Sequence, residues 1–162
     1  HRRGVLSYRL LWFEPTAPDS GRWPHQALAA VTTHDLPTVA GLWSGSDVEA
    51  QRGLGLNPNE EATAAIAGKL SQWTGLDRGA DVESVIDRTY GLLGRAPAAV
   101  VTATLEDALA VEERPNQPGT IHERPNWSLA LPRPLEEIEV APLAQVIGAA
   151  LRHRRQEPPV EG

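Results

Sequence analysis

The run Ala27-Leu28-Ala29-Ala30-Val31-Thr32-Thr33-His34-Asp35-Leu36-Pro37-Thr38 passes from apolar residues to a His-Asp pair and then to a proline. Its apolar half is short enough to be strand or helix by periodicity alone, and the β-branched end Val31-Thr32-Thr33 favours a strand. Upstream, Gly4-Val5-Leu6-Ser7-Tyr8-Arg9-Leu10-Leu11-Trp12-Phe13 reads as another strand that stops at Glu14-Pro15, where proline ends ladder pairing. Residues 15–24 between them hold Pro, Asp, Ser and Gly and read as a loop. Downstream, Ala98-Ala99-Val100-Val101-Thr102-Ala103 is a third strand.

Helical signals fill the gaps. Residues 38–43 make a short helix that gives out at Ser44-Gly45-Ser46. Asn57, Pro58 and Glu60 supply a cap, a first-turn proline and a capping box; Ala62, Ile66, Leu70 and Trp73 then form a stripe that Gly75 closes. Asp81 caps a helix whose Val82, Val85, Ile86, Tyr90 and Leu93 share a face, and Thr104 caps a short one after the third strand. Pro142 opens a last helix with Leu143, Val146, Ile147, Ala150 and Leu151 on one side, a basic final turn at residues 152–155, and a frayed tail at 156–162. This order is that of an α/β fold, with a parallel sheet expected to be covered on both faces. Three strands close nothing, and a (β/α)8 barrel needs roughly 250 residues, so the chain is at most about the final third of one.

Composition narrows the function. With 162 residues, 41% of them apolar, the chain fits one soluble globular unit. The absence of cysteine removes disulfides, thiol catalysis and cysteine metal sites. The balance of 15 Lys+Arg against 21 Asp+Glu, a net −6, speaks against nucleic acid as a partner. No apolar stretch approaches the ~20 residues of a membrane span and the start lacks a signal-peptide core, which makes the cytoplasm the natural assignment. The five histidines never fall at a paired ligand spacing, so no metal site is expected, and neither a phosphate-cradling glycine loop nor a G-x-S-x-G elbow occurs. A chain without Met that begins directly at a strand reads as part of something longer.

Two places could carry chemistry. His34-Asp35 follows the second strand, at the carboxyl edge where parallel α/β folds bind ligands. Asp35 is there either a helix cap beside a surface histidine or a fixed anion facing a substrate, with His34 a donor beside it. The second place is the run 113–127, inside the five-proline loop 112–134. Gly119 permits a tight turn, and Asn116, Asn126 and Trp127 offer the amides and flat apolar face that a sugar needs. The competing reading is a rigid connector whose Asn side chains satisfy their own turns and whose Trp127 packs on the core. Glu106-Asp107 lies in a first helical turn, where acidic groups complement the helix dipole.

The segments Gly4-Val5-Leu6-Ser7-Tyr8-Arg9-Leu10-Leu11-Trp12-Phe13-Glu14, Thr33-His34-Asp35-Leu36-Pro37-Thr38-Val39-Ala40-Gly41-Leu42-Trp43, Asn116-Gln117-Pro118-Gly119-Thr120 and Pro125-Asn126-Trp127, in that order, resemble the C-terminal part of the 4-α-glucanotransferases, also called amylomaltases or disproportionating enzymes. Gln117 stands where the family usually has an aliphatic residue and His122 where an acidic one is commoner. The resemblance implies the closing portion, about strands six to eight, of a glycoside-hydrolase (β/α)8 barrel over residues 1–155. It also implies transfer of an α-1,4-glucan segment to the 4-hydroxyl of an acceptor glucan or glucose with retained configuration, and no metal or organic cofactor. Asp35 then corresponds to the carboxylate that stabilises the transition state, His34 to a donor to the same sugar, and Asn116 to a loop contact near the acceptor. The family's nucleophile motif, like Gly-Phe-Arg-Ile-Asp, and its acid/base motif, like Glu-Asp-Leu-Gly, are absent from this sequence. Two other readings stay open: a related α-glucan hydrolase, or a non-catalytic glucan-binding or truncated module. Without a nucleophile and an acid/base, the purified 162-residue chain is expected to produce no longer glucans from maltotriose, and to aggregate or pack loosely through its unpaired strand edge. Chromatography of the products and a melting curve on a sized monomer check both.

Overall fold

In a computed structural model, which describes residues 4–153, the alanine-rich run becomes the middle strand of a parallel sheet. Strand β1 is Ser7–Leu10, β2 is Ala27–Ala30 and β3 is Val100–Thr102, in the order β1-β2-β3, with Ser7 opposite Ala27 and Leu28 opposite Val100. The helices are α1 Val39–Ser44, α2 Ser46–Gly53, α3 Glu60–Thr74, α4 Val82–Gly94, α5 Leu105–Ala108, α6 Leu135–Ile138 and α7 Pro142–His153. The element order is thus the α/β order expected, with each strand shorter than its apolar run. Residues 154–162, with the end of the basic turn and the tail, lie outside the described residues.

Strand alternation sorts the sheet into two unlike faces. Ala27 and Ala29 are fully buried in the core with Leu70, Ile86, Tyr90 and Ile147 of the helices. On the opposite face the register aligns Tyr8, Leu28 and Val100, and Tyr8 and Val100 are 56% and 40% exposed. Among the described residues the sheet is therefore not covered on both faces as expected: the helices gather where small side chains let them close on the backbone.

Other differences from the expectation have local causes. Leu11–Phe13 leave the ladder for a 3-10 turn that buries Leu11 and Trp12. There the Trp12 Nε1 donates to the Pro37 carbonyl at 3.1 Å, and the Lys69 ammonium donates to the carbonyls of Trp12 and Glu14. The cap of α3 is Asn59, not Asn57: its side chain accepts from Ala62 N–H at 3.0 Å, which leaves Pro58 outside the helix and puts Glu60 and Glu61 in the first turn. Asp81, Thr104 and Gly75 cap as expected, the first two accepting from Ser84 and Asp107 N–H. Helix α2 carries no apolar stripe, and its one fully buried residue is Asp47. Helices α4 and α7 meet at Gly94, where a Cβ would stand 2.4 Å from the Ala150 carbonyl oxygen.

One buried carboxylate joins three helices. Asp107, in α5, is fully inaccessible; its Oδ1 accepts from Val39 N–H of α1 at 2.9 Å and its Oδ2 from the Tyr90 hydroxyl of α4 at 2.7 Å. Burial raises its pKa above the usual 3.8, opposed by the bonds from Tyr90, Val39 and Thr104. Burial and the facing Asp107 push the Tyr90 hydroxyl well above its usual range in turn. A raised carboxyl means that the folded state holds its proton more tightly than the unfolded chain. Its contribution to stability is therefore complete below the unfolded value of 3.8 and lost as pH rises through the raised one. Asp107→Asn removes that dependence, so the wild-type protein should lose stability relative to D107N as pH is raised from about 4 to 7, read by melting curves of both proteins across that range.

Candidate functional site

The carboxyl end of β2 is shaped by hydroxyl groups. Thr32 Oγ1 donates to the Pro37 carbonyl at 2.7 Å, and Thr33 receives the amides of Asp35 and Leu36 on its side chain and carbonyl at 3.3 and 3.1 Å. These bonds close residues 32–37 into a tight turn and present the two side chains between them outward. His34 and Asp35 are half exposed at 52% and 48% of their side chains. Asp35 caps nothing: Thr38 does, accepting from Gly41 N–H at 2.9 Å.

The loop after α5 comes to this turn from across the sheet. It starts at Glu112, whose carbonyl accepts from Thr38 Oγ1 at 3.1 Å and sits where a side chain on Gly41 would stand, 2.3 Å from its Cβ position. The backbone N–H of Asn116 then donates to the His34 carbonyl at 3.2 Å, and its side-chain amide donates to Asp35 Oδ1 at 2.6 Å. The other carboxylate oxygen, Oδ2, lies 3.3 Å from His34 Nε2. Trp127 sets its ring 4.8 Å from the His34 ring at a 49° tilt and stays 65% exposed, with its backbone N–H donating to the Pro115 carbonyl at 3.0 Å. The three residues singled out from sequence, His34, Asp35 and Asn116, thus meet in one place with Trp127 as a flat wall.

The two asparagines divide the readings between them. Asn126 serves the loop itself: its Oδ1 accepts from Gln117 N–H at 2.9 Å and its amide reaches Thr120 Oγ1 at 2.8 Å, across a turn in which Gly119 takes φ +87°. Asn116 instead reaches out to the carboxylate. Trp127 does not pack on the core; it holds a left-handed φ of +62°, rare for a bulky side chain. Glu123 folds back on the amides of Ile121 and His122, which hold its carboxyl below the usual value. Among the described residues no cluster of His, Cys, Asp and Glu could hold a metal ion, and no helix is long and apolar enough to cross a membrane.

A family model described as 4-alpha-glucanotransferase matches residues 1–135. The chain belongs to this family. Curated relatives include the 4-alpha-glucanotransferase of Mycobacterium tuberculosis, 34% identical over 91% of this chain and 24% of its own length, and that of Haemophilus influenzae, 26% identical over 81% of this chain and 22% of its own. The chain thus spans about a quarter of the length of the curated glucanotransferases it matches. Among solved structures, the amylomaltase from Corynebacterium glutamicum superposes with a TM-score of 0.77 at 23% identity, over 93% of this chain and 26% of that one. The amylomaltase from Streptococcus agalactiae in complex with acarbose gives 0.54 at 14% identity, over 96% and 28%.

Two further residues give little sign of themselves in the local sequence of this glucanotransferase-family chain. Arg114, two positions before Asn116, is 6% exposed, and its guanidinium grips the equally buried Asp47 of α2 at 2.7 and 2.5 Å. Beside the pair, α2 and the loop border a cleft of about 460 Å³. The only local signal was a charged residue placed before a proline. The loop's self-closure makes one firm prediction. Asn126→Ala leaves Gln117 N–H without its acceptor, and hydrogen exchange at that amide should quicken by about tenfold or more.

Proposed function

We propose that this chain is the closing part of the (β/α)8 catalytic barrel of a 4-α-glucanotransferase, with β1, β2 and β3 as its sixth, seventh and eighth strands and residues 1–155 within the barrel. The observation that carries the reading is the Asp35 carboxylate at the end of β2, bonded at 2.6 Å to Asn116 from the loop beyond β3 and flanked by the exposed Trp127 ring. The half-open sheet supports it too, because the face bearing Tyr8, Leu28 and Val100 is the one that would turn inward once five more strands close the barrel.

The chemistry follows from what these groups can do. Breaking an α-1,4 bond with retention takes a carboxylate nucleophile and a carboxylic acid about 5–5.5 Å apart, and builds positive charge on the sugar ring. Those two groups belong to parts of the protein outside this chain. Asp35 supplies a fixed anion that accepts hydrogen bonds from ring hydroxyls and favours the charged transition state over the neutral ground state. Asn116 holds one oxygen and leaves the other, beside His34, open to the sugar. Trp127 offers its face to an apolar side of the neighbouring residue of the glucan, and the substrates are maltooligosaccharides and glucose.

The test uses the product of the complete reading frame with maltotriose. Longer glucans plus glucose are the expected products; maltose and glucose alone would mean a hydrolase. Asp35→Asn keeps the side chain's shape but removes its charge, and the transfer rate should fall by about 10²–10³-fold, as when one transition-state contact is lost. An unchanged rate in D35N would overturn the assignment of Asp35.

A further inference from the structure

We infer that Arg114 is a positioning residue for Asp35, locked in place by its buried ion pair with Asp47; this rests on the reading of Asp35 given above. All three guanidinium nitrogens are engaged. Nε and Nη2 grip the two carboxylate oxygens of Asp47, at 2.7 and 2.5 Å, and Nη1 donates to the backbone carbonyl of Asp35 at 2.6 Å. Each partner is held from its far side as well. Gln51 donates to Asp47 Oδ2 at 2.8 Å, and Arg124 donates to the Arg114 carbonyl at 2.5 Å.

A buried ion pair is a poor way to gain stability, because desolvating two charges offsets most of their attraction. What this pair does instead is geometric. Asp35 has its amide on Thr33 and its carbonyl on Arg114, so its backbone is fixed on both sides of the Cα that aims the carboxylate. Arg114 also lies two residues before Asn116, whose N–H and side chain bond His34 and Asp35. The same short stretch therefore sets the carboxylate and the amide that orients it, and α2 anchors both through Asp47. A planar fork grips both oxygens of a carboxylate while its third nitrogen reaches the carbonyl; a lysine ammonium keeps the charge but not that fixed bidentate geometry. Displacing a catalytic group by about 1 Å costs roughly 10²-fold in rate.

The experiment is made in the full-length enzyme with maltotriose. Lysine retains the charge that Asp47 needs, so R114K should fold; its kcat should fall by about 10- to 100-fold while KM moves less than about threefold, since the loss falls on the transition state. Asp47→Asn/Arg114→Gln removes both buried charges together and should melt close to wild type while showing the same kcat loss. In a D35N background R114K should add little further loss, because it acts through the missing carboxylate. A folded R114K or double variant with wild-type kcat overturns the inference, as does a loss confined to KM, or a full further loss on top of D35N. If D35N itself is fully active, it is the reading of Asp35 that fails; if D35N is impaired and R114K is not, that reading stands and the positioning role falls.

Discussion

The carboxylate of Asp107 is the constraint on which the rest is hung. It is sealed from water, and it holds the first amide of α1 and the Tyr90 hydroxyl of α4 in one grip. A buried polar group is tolerable only when its partners are complete, so the three helices have little freedom to slide past each other. The start of α1 fixes Thr38, Thr38 holds the carbonyl of Glu112, and Gly41 leaves the space that this carbonyl occupies. The long loop therefore departs from a set point, and Asn116 arrives within 2.6 Å of Asp35 although 81 residues separate them.

Much of this was legible because it is local. The strands announce themselves by apolar runs, Asp81 and Thr104 by their cap positions, and the loop by five prolines and a glycine that must take positive φ. The order of motifs singles out His34, Asp35 and Asn116, which the fold brings together. The pairings between distant residues were not legible. Asp107 looked like a first-turn acid, whereas its partners Tyr90 and Val39 lie 17 and 68 positions away. Helix α2 has almost nothing apolar to reveal it, since its anchor is an ion pair to a residue 67 positions on. Asn57 reads as the cap because Pro58 and Glu60 follow it, whereas the side chain that closes on a helix amide is that of Asn59.

The sheet carries the same lesson at larger scale. Parallel strands normally read as buried on both sides, and the apolar composition of β2 fits that rule. Yet Tyr8 and Val100 stand exposed on the far face, next to a tightly packed alanine face. Membership of the 4-alpha-glucanotransferase family, with about a quarter of its relatives' length present, gives that asymmetry a context.

Trp127 combines the bulkiest of side chains with a backbone conformation suited to glycine, at a cost on the order of 1–3 kcal/mol. The turn is imposed from outside, by the Pro115 carbonyl on its N–H and by the Asn126 bonds just before it. The backbone that carries the indole is thus set in advance, with the His34 ring 4.8 Å away on one side of an otherwise exposed side chain. A preset backbone spares the ordering of that turn whenever the exposed ring is covered, and leaves the ring's own rotation as the freedom still to be lost.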